Sequence, residues 1–143
     1  MTQKEKDLVL KDLCARLPYG VWAEARLKCS SSSTSWLVDE LLIRSFKRGT
    51  FDFYKPYLFP LSSMTEKQAI ELFNIFGISF VDSVGANYIK VNEVTGITFF
   101  FQNGFDVETH LDKLINWLNK NHIDWRGLIP MGLAIDATGL NIY

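Results

Sequence analysis

Cysteine is scarce in this 143-residue chain: Cys14 and Cys29 are the only two. That is too few for a disulfide scaffold, and they are not spaced as a CxxC pair, so both are expected as reduced thiols. Histidine is as rare. His110 and His122 stand apart, with neither HExxH nor a His/Cys cluster around them, which removes the usual zinc spacings. A surplus of either charge is also missing. Fifteen Lys+Arg against sixteen Asp+Glu leave a net charge of -1, so bulk charge gives no argument for nucleic acid or an anionic membrane. Long apolar runs are absent too. Ile97 to Phe101 falls far short of the ~20 residues a membrane-spanning helix requires, and the opening MTQKEKDLVLKDLCARL lacks the unbroken apolar stretch of a secretory signal. The expectations are a soluble, cytoplasmic chain and no membrane partner. Gly127, Gly132 and Gly139 match neither GxGxxG nor a Walker A loop, so no nucleotide or other cofactor is expected.

What is present is apolar and aromatic residue: 48% hydrophobic, 14% aromatic, with a mean hydropathy of +0.04. This argues against disorder and for one sheet-containing domain spanning residues 1–143. Val9, Leu10, Leu13 and Leu17 recur at helical spacing, and Pro18 must end that helix nearby. From Val21 to Leu27, Val21, Ala23, Ala25 and Leu27 alternate with Trp22, Glu24, Arg26 and Lys28, the period of a half-buried strand. Ser30 to Ser33 reads as a loop. Residues 35–47 support two readings. Ser35 as cap, early acids, late cations and Gly49 suit a helix, while the RSFKRGTFDF pattern suits a hairpin turning at Lys47 to Thr50, and the strand reading is favoured. Lys55 to Pro60 carries two prolines and reads as an extended connector, not a ladder strand.

Thr65 and Gln68 have the spacing of a capping box, ahead of a helix burying Ala69, Ile70, Phe73 and Phe76 and closed by Gly77. Strands are expected at Ile78 to Val81, Asn87 to Val91 and Ile97 to Gln102, the last two as a hairpin. Asp106 caps a further helix whose Val107, Leu111, Leu114, Ile115 and Leu118 share one face. Asp124 reads as the cap of a short turn or helix, and Leu133 to Ile135 as a last short strand. The fold class predicted is α+β: small antiparallel sheet or sheets with about three helices, one compact domain with possible lobes at 1–60 and 61–143. The two parts differ in charge, +3 for residues 1–60 and -4 for the rest.

Three segments, KDLCARLPYGV (11–21), KPYLFPLSSMTE (55–66) and WLNKNHIDWRGLIPMGLAIDA (117–137), together resemble a family of short uncharacterised proteins common in gut anaerobic bacteria and their phages and prophages. That family carries no established activity. The resemblance therefore implies a phage or mobile-element setting and no catalytic residues.

Read residue by residue, chemistry is thin. Glu108 and Asp112 lie one helical turn apart, but acids in a first turn are favoured by the helix dipole and face solvent. Cys14 on an amphipathic helix, with no base at a fitting spacing, reads as a small buried apolar residue. No catalytic, cofactor or metal residue is predicted. The candidate interaction surface is Arg44, Lys47, Arg48, Phe51, Tyr54, Lys55 and Tyr57, where cations interleave with aromatics, together with Trp125. Three functions remain: a non-enzymatic protein that binds an unidentified protein partner through exposed aromatics such as Trp22, Trp36, Trp117 or Trp125; a nucleic-acid accessory protein using residues 44–57, which requires exposed rings; and a small-molecule binder or small enzyme using Glu108, His110, Asp112 or His122.

Overall fold

In the computed structural model of the chain, residues 1–75, 88–92, 96–100 and 111–143 are described. Thr2 starts helix α1 (Gln3–Arg16): its hydroxyl accepts from the Glu5 amide while the Glu5 carboxylate accepts from the Thr2 amide, a reciprocal cap. These bonds hold the Glu5 carboxyl below its ordinary pKa. The sequence pattern puts Val9 and Leu13 on the inward stripe, and both are fully buried, worth about 1.5–3 kcal/mol each. Cys14, about 100° further round the helix, faces solvent instead of the core, against the expectation of a buried thiol. A short 3-10 turn, Leu17–Tyr19, carries Pro18 and ends at Gly20, whose φ of 74° is left-handed.

Strand β1 (Trp22–Leu27) follows, with Val21, Ala23 and Ala25 turned into the core. It pairs antiparallel with β2 (Thr34–Leu37) on one side and β3 (Phe51–Leu58) on the other. Between them the favoured strand reading fails: Glu40–Lys47 form helix α2, and residues 47–50 join it to β3 without a hairpin. The cap is Asp39, not Ser35; its carboxylate accepts from the Leu42 amide at 2.7 Å. Ile43 and Phe46, one turn apart, are buried, and Gly49 at φ 70° closes the element. The alternation in RSFKRGTFDF straddles a helix end and a strand start, which is why it mimics one hairpin.

β3 also runs through Pro56, which the sequence reading removed from any ladder. The Leu58 carbonyl accepts from the Ala137 amide, and the Tyr57 carbonyl accepts from the Tyr143 hydroxyl on the β1 side. Backbone direction alternates along a strand, so Pro56 turns its donor-less nitrogen away from β1, to the side where β6 (Ile135–Asp136) pairs only from Tyr57 onward. The proline sits where no ladder bond is required. The β3–β6 pairing is parallel, so the sheet, in order β2-β1-β3-β6, is mixed and not purely antiparallel. β6 also crosses the division at residue 60, because it docks on the N-terminal sheet and brings Leu128, Leu133 and Ala134 into the core of Val9, Leu13, Ile43, Phe46 and Tyr54.

Helix α3 (Glu66–Ile75) opens with the expected reciprocal bonds between Thr65 and Gln68. Leu72 joins Leu114, Trp117 and Leu118 of helix α4 (Leu111–Lys120), and Ile123, in a second apolar cluster. Four α-helices are thus present among the described residues, against about three expected. Strands β4 (Tyr88–Asn92) and β5 (Gly96–Phe100) pair antiparallel, Asn92 opposite Gly96. The strand at 78–81, the helix end at Phe76 and Gly77, and the cap at Asp106 lie outside the described residues. After α4, Asp124 accepts from the Leu128 and Ile129 amides at 2.8 and 2.7 Å, making the anticipated turn. No helix among the described residues is long and apolar enough to cross a membrane.

Candidate interaction surface

The residues of segment 44–57 do not form one surface. Phe51, Tyr54 and Tyr57 are 4%, 2% and 8% exposed. Phe46 lies parallel to Tyr54 with ring centroids 4.2 Å apart and meets Phe51 edge-on at 4.9 Å. Burial raises the Tyr54 hydroxyl above its ordinary pKa, and the hydroxyl donates to the Lys6 carbonyl. Arg44, Lys47 and Arg48 are exposed on or just after α2, with Arg44 3.9 Å from Glu40. Phe51, Tyr54 and Tyr57 are therefore not offered beside them as the stacking platform that single-strand recognition uses. Lys55 is half-buried, in an open groove of about 450 Å³ with Met1, Glu5, Glu24, Phe53, Met131 and Leu133.

The aromatics offered as contact residues separate as well. Trp117, 4% exposed, belongs to the second core cluster. Trp125 is half-buried beneath the Arg126 guanidinium, 3.9 Å from the ring centroid, and its indole donates to Asn119. Trp36 is 43% exposed, on β2.

Among the described residues β2 is an edge of the four-stranded sheet, and all four of its residues are exposed. The Val38 amide donates to the Val21 carbonyl. By alternation, Thr34 and Trp36 also turn their backbone groups toward β1, leaving the amides and carbonyls of Ser35 and Leu37 directed outward. Leu37 is 53% exposed, and Leu41, just beyond on α2, 69%. Natural edges are blunted by shortness, lysine, proline or a bulge within the strand; Thr34-Ser35-Trp36-Leu37 is short but carries no lysine, proline or bulge. Exposed Asp39 and Glu40 follow its Leu37 end, with Glu40 3.9 Å from Arg44. At its Thr34 end Glu24 accepts from the Ser33 hydroxyl, while Lys28 reaches toward Gly49 on the β3 side. The sequence contains the signals, a four-residue TSWL segment before an Asp cap, but a strand reading of residues 35–47 hides the exposure of Leu37 and Leu41.

A second polar constellation is internal. Asp12 and Arg16 are both fully buried: Arg16 Nε donates to Asp12 at 2.7 Å, Nη2 to Asp12 at 3.2 Å and to the Ile123 carbonyl at 2.8 Å. Arg126 Nε reaches the same carboxylate at 3.0 Å. Beside it His122, in a left-handed conformation at φ 54°, stacks on the Tyr143 ring at 3.9 Å. Burial, and then the Arg16 charge, push the His122 pKa down to about 4, so the ring is neutral at pH 7. Tyr143 donates to the Tyr57 carbonyl at 2.7 Å and accepts from the Trp22 amide at 3.3 Å; burial lifts its pKa to about 12. These groups join α1, β1, β3 and the 122–126 turn, while Arg16 Nη1 and His122 Nδ1 are buried without a hydrogen-bond partner among the described residues.

Asp112 is exposed, while Glu108 and His110 lie outside the described residues. No group of three His, Cys, Asp or Glu side chains that could hold a metal ion occurs among the described residues. No protein-family model, curated protein or solved structure matches the chain.

Proposed function

We propose that the chain is a non-enzymatic binding protein that engages a protein partner through the β2 edge and the exposed side chains around it. The observation that carries this is an edge without lysine, proline or bulge: two residues with outward backbone donors and acceptors, flanked by exposed Trp36, Leu37 and Leu41. Main-chain pairing at such an edge supplies affinity, and flanking side chains supply selectivity. A phage or mobile-element accessory role is the setting the three resembling segments suggest, and it belongs to this proposal.

The test is affinity capture from a host lysate with wild type and Trp36→Lys, with and without nuclease and at low and high salt. A protein retained after nuclease and salt, and lost with Trp36→Lys, is the expected result. Retention that nuclease abolishes would point to nucleic acid, and retention indifferent to Trp36→Lys would move the contact off β2; either outcome overturns the reading.

A further inference from the structure

Where β1 meets β3 the register ends at Ala23 opposite Pro56, and at the next position, between Trp22 and Tyr57, a side-chain hydroxyl completes the pairing. The Trp22 amide donates to the Tyr143 hydroxyl at 3.3 Å, and that hydroxyl donates to the Tyr57 carbonyl at 2.7 Å. We propose that this notch between the two strands, with the His122 ring beside it, is a binding site for a phenol, and that Tyr143 is its displaceable resident. The inference goes beyond the β2 edge and does not depend on it.

Hydrogen bonding selects the group that fits. A single oxygen must accept from an amide and donate to a carbonyl, which a hydroxyl does; a carboxylate cannot donate and an ammonium cannot accept. The walls select a flat ring. His122 lies parallel to the Tyr143 ring, with 3.9 Å between centroids and 11° between planes, and Phe59 meets it at 5.8 Å and 51°. The fold holds His122 independently of the ring stacked on it: its amide donates to the Asn119 carbonyl, and its carbonyl accepts from the Phe59 amide.

The resident is loosely kept. Tyr54 has its ring inside the first apolar cluster, whereas Tyr143 belongs to neither cluster and is 42% exposed. Residues 138–141 ahead of it are exposed. The Leu140 amide donates to the Ala137 carbonyl, and beyond it the hydrogen bonds that hold this segment, among the described residues, are those of the Tyr143 hydroxyl. Withdrawing the ring therefore breaks two bonds and one stack without opening either core. The same chemistry reaches the notch on a free small phenol or on a tyrosine side chain of another protein.

NMR titration of Tyr143→Ala with p-cresol tests this, read at the Trp22 amide and the His122 ring. Both signals should shift and saturate, and toluene, which keeps the ring and lacks the hydroxyl, should bind about tenfold more weakly. Tyr143→Phe, whose ring still fills the notch, should also bind p-cresol about tenfold more weakly than Tyr143→Ala. N-acetyltyrosinamide separates the two sources. Binding tighter than that of p-cresol supports a tyrosine of another protein, and weaker binding supports a free phenol. In wild type, millimolar p-cresol should displace the resident and narrow the amide signals of residues 138–142 as that segment gains mobility; this arm carries the test if Tyr143→Ala loses its circular dichroism spectrum. A folded Tyr143→Ala without saturable shifts, toluene binding as well as p-cresol, equal binding by Tyr143→Phe, or a wild-type segment indifferent to p-cresol each overturns the proposal.

Discussion

Replacing Asp12 with alanine leaves the fully buried Arg16 guanidinium with one partner, the Ile123 carbonyl, and takes from Arg126 its only carboxylate among the described residues. Removing one member of a buried ion pair costs about 3–5 kcal/mol, chiefly because the remaining charge is uncompensated. The total stability of a domain is about 5–15 kcal/mol, so Asp12→Ala should bring the protein close to its unfolding threshold at room temperature. The charge argument is separable from the loss of packing. In Asp12→Leu/Arg16→Met both buried charges go together and apolar volume fills the site, while Arg126, 17% exposed and lying on Trp125, can turn toward water. That double variant should lie within about 2 kcal/mol of wild type. Guanidinium unfolding followed by circular dichroism and tryptophan fluorescence gives both numbers. An Asp12→Ala loss under about 1 kcal/mol would falsify the buried-charge account, and a double variant no more stable than Asp12→Ala would show that shape and not charge sets the cost.

Acid should find His122 first. Its folded pKa of about 4 lies below the unfolded value of about 6.5, so the unfolded chain takes up the proton earlier as pH falls. Stability is lost from about pH 6.5 down to about 4, by roughly 2–3 kcal/mol after allowance for solvent screening. Urea unfolding at pH 7, 5.5 and 4.5 should show a shallower loss in His122→Asn, a residue that tolerates the left-handed backbone; parallel curves would remove His122 as the cause. Tyr143→Phe deletes the hydroxyl bridging Trp22 and Tyr57 and should cost about 1 kcal/mol, with faster hydrogen exchange at the Trp22 amide as its local signature. Gly49→Ala meets nothing nearer than Lys28 Nζ at 3.9 Å, so backbone strain at φ 70° alone should lower the unfolding free energy by about 1–2 kcal/mol. No change there would mean the turn relaxes.

Local chemistry explains what could be read in advance. The Thr65–Gln68 cap, the Val21–Ala25 alternation and the Asp124 turn are each specified by residues within a few positions, and the structure keeps all three. The errors came where the deciding neighbour is distant. Pro56 is admissible because of how β6 joins β3, about eighty residues later in the chain, and Phe51 and Tyr54 are inside because α1 and α2 cover that face of the sheet. Residues 35–47 contain the helix signals, but with Ser35 as cap the helix would swallow β2; Asp39 as cap separates strand from helix. The candidate surface was legible only in part. Trp36 stood out as an aromatic, while the exposure of Leu37 depends on β2 having, among the described residues, a neighbour on one side alone.

The closing of the sheet by β6, and of the Arg16 charge by the Ile123 carbonyl, has a kinetic side. Arg16 and its carbonyl partner are 107 positions apart, and Asp12 and Arg126 are 114 apart. Loop closure on that scale precedes any reward from the contacts, which slows folding relative to domains built on local pairings. During synthesis α1 and β1 to β3 emerge well before residues 123–137, so the nascent N-terminal part carries an unfilled core position for Leu128 and an Arg16 guanidinium that has Asp12 but still lacks the Ile123 carbonyl. The 122–137 segment docks last, and until then the β3 edge that β6 will cover stays open, as does the β2 edge on the opposite side of the sheet, a stage at which strand addition from another chain competes with folding.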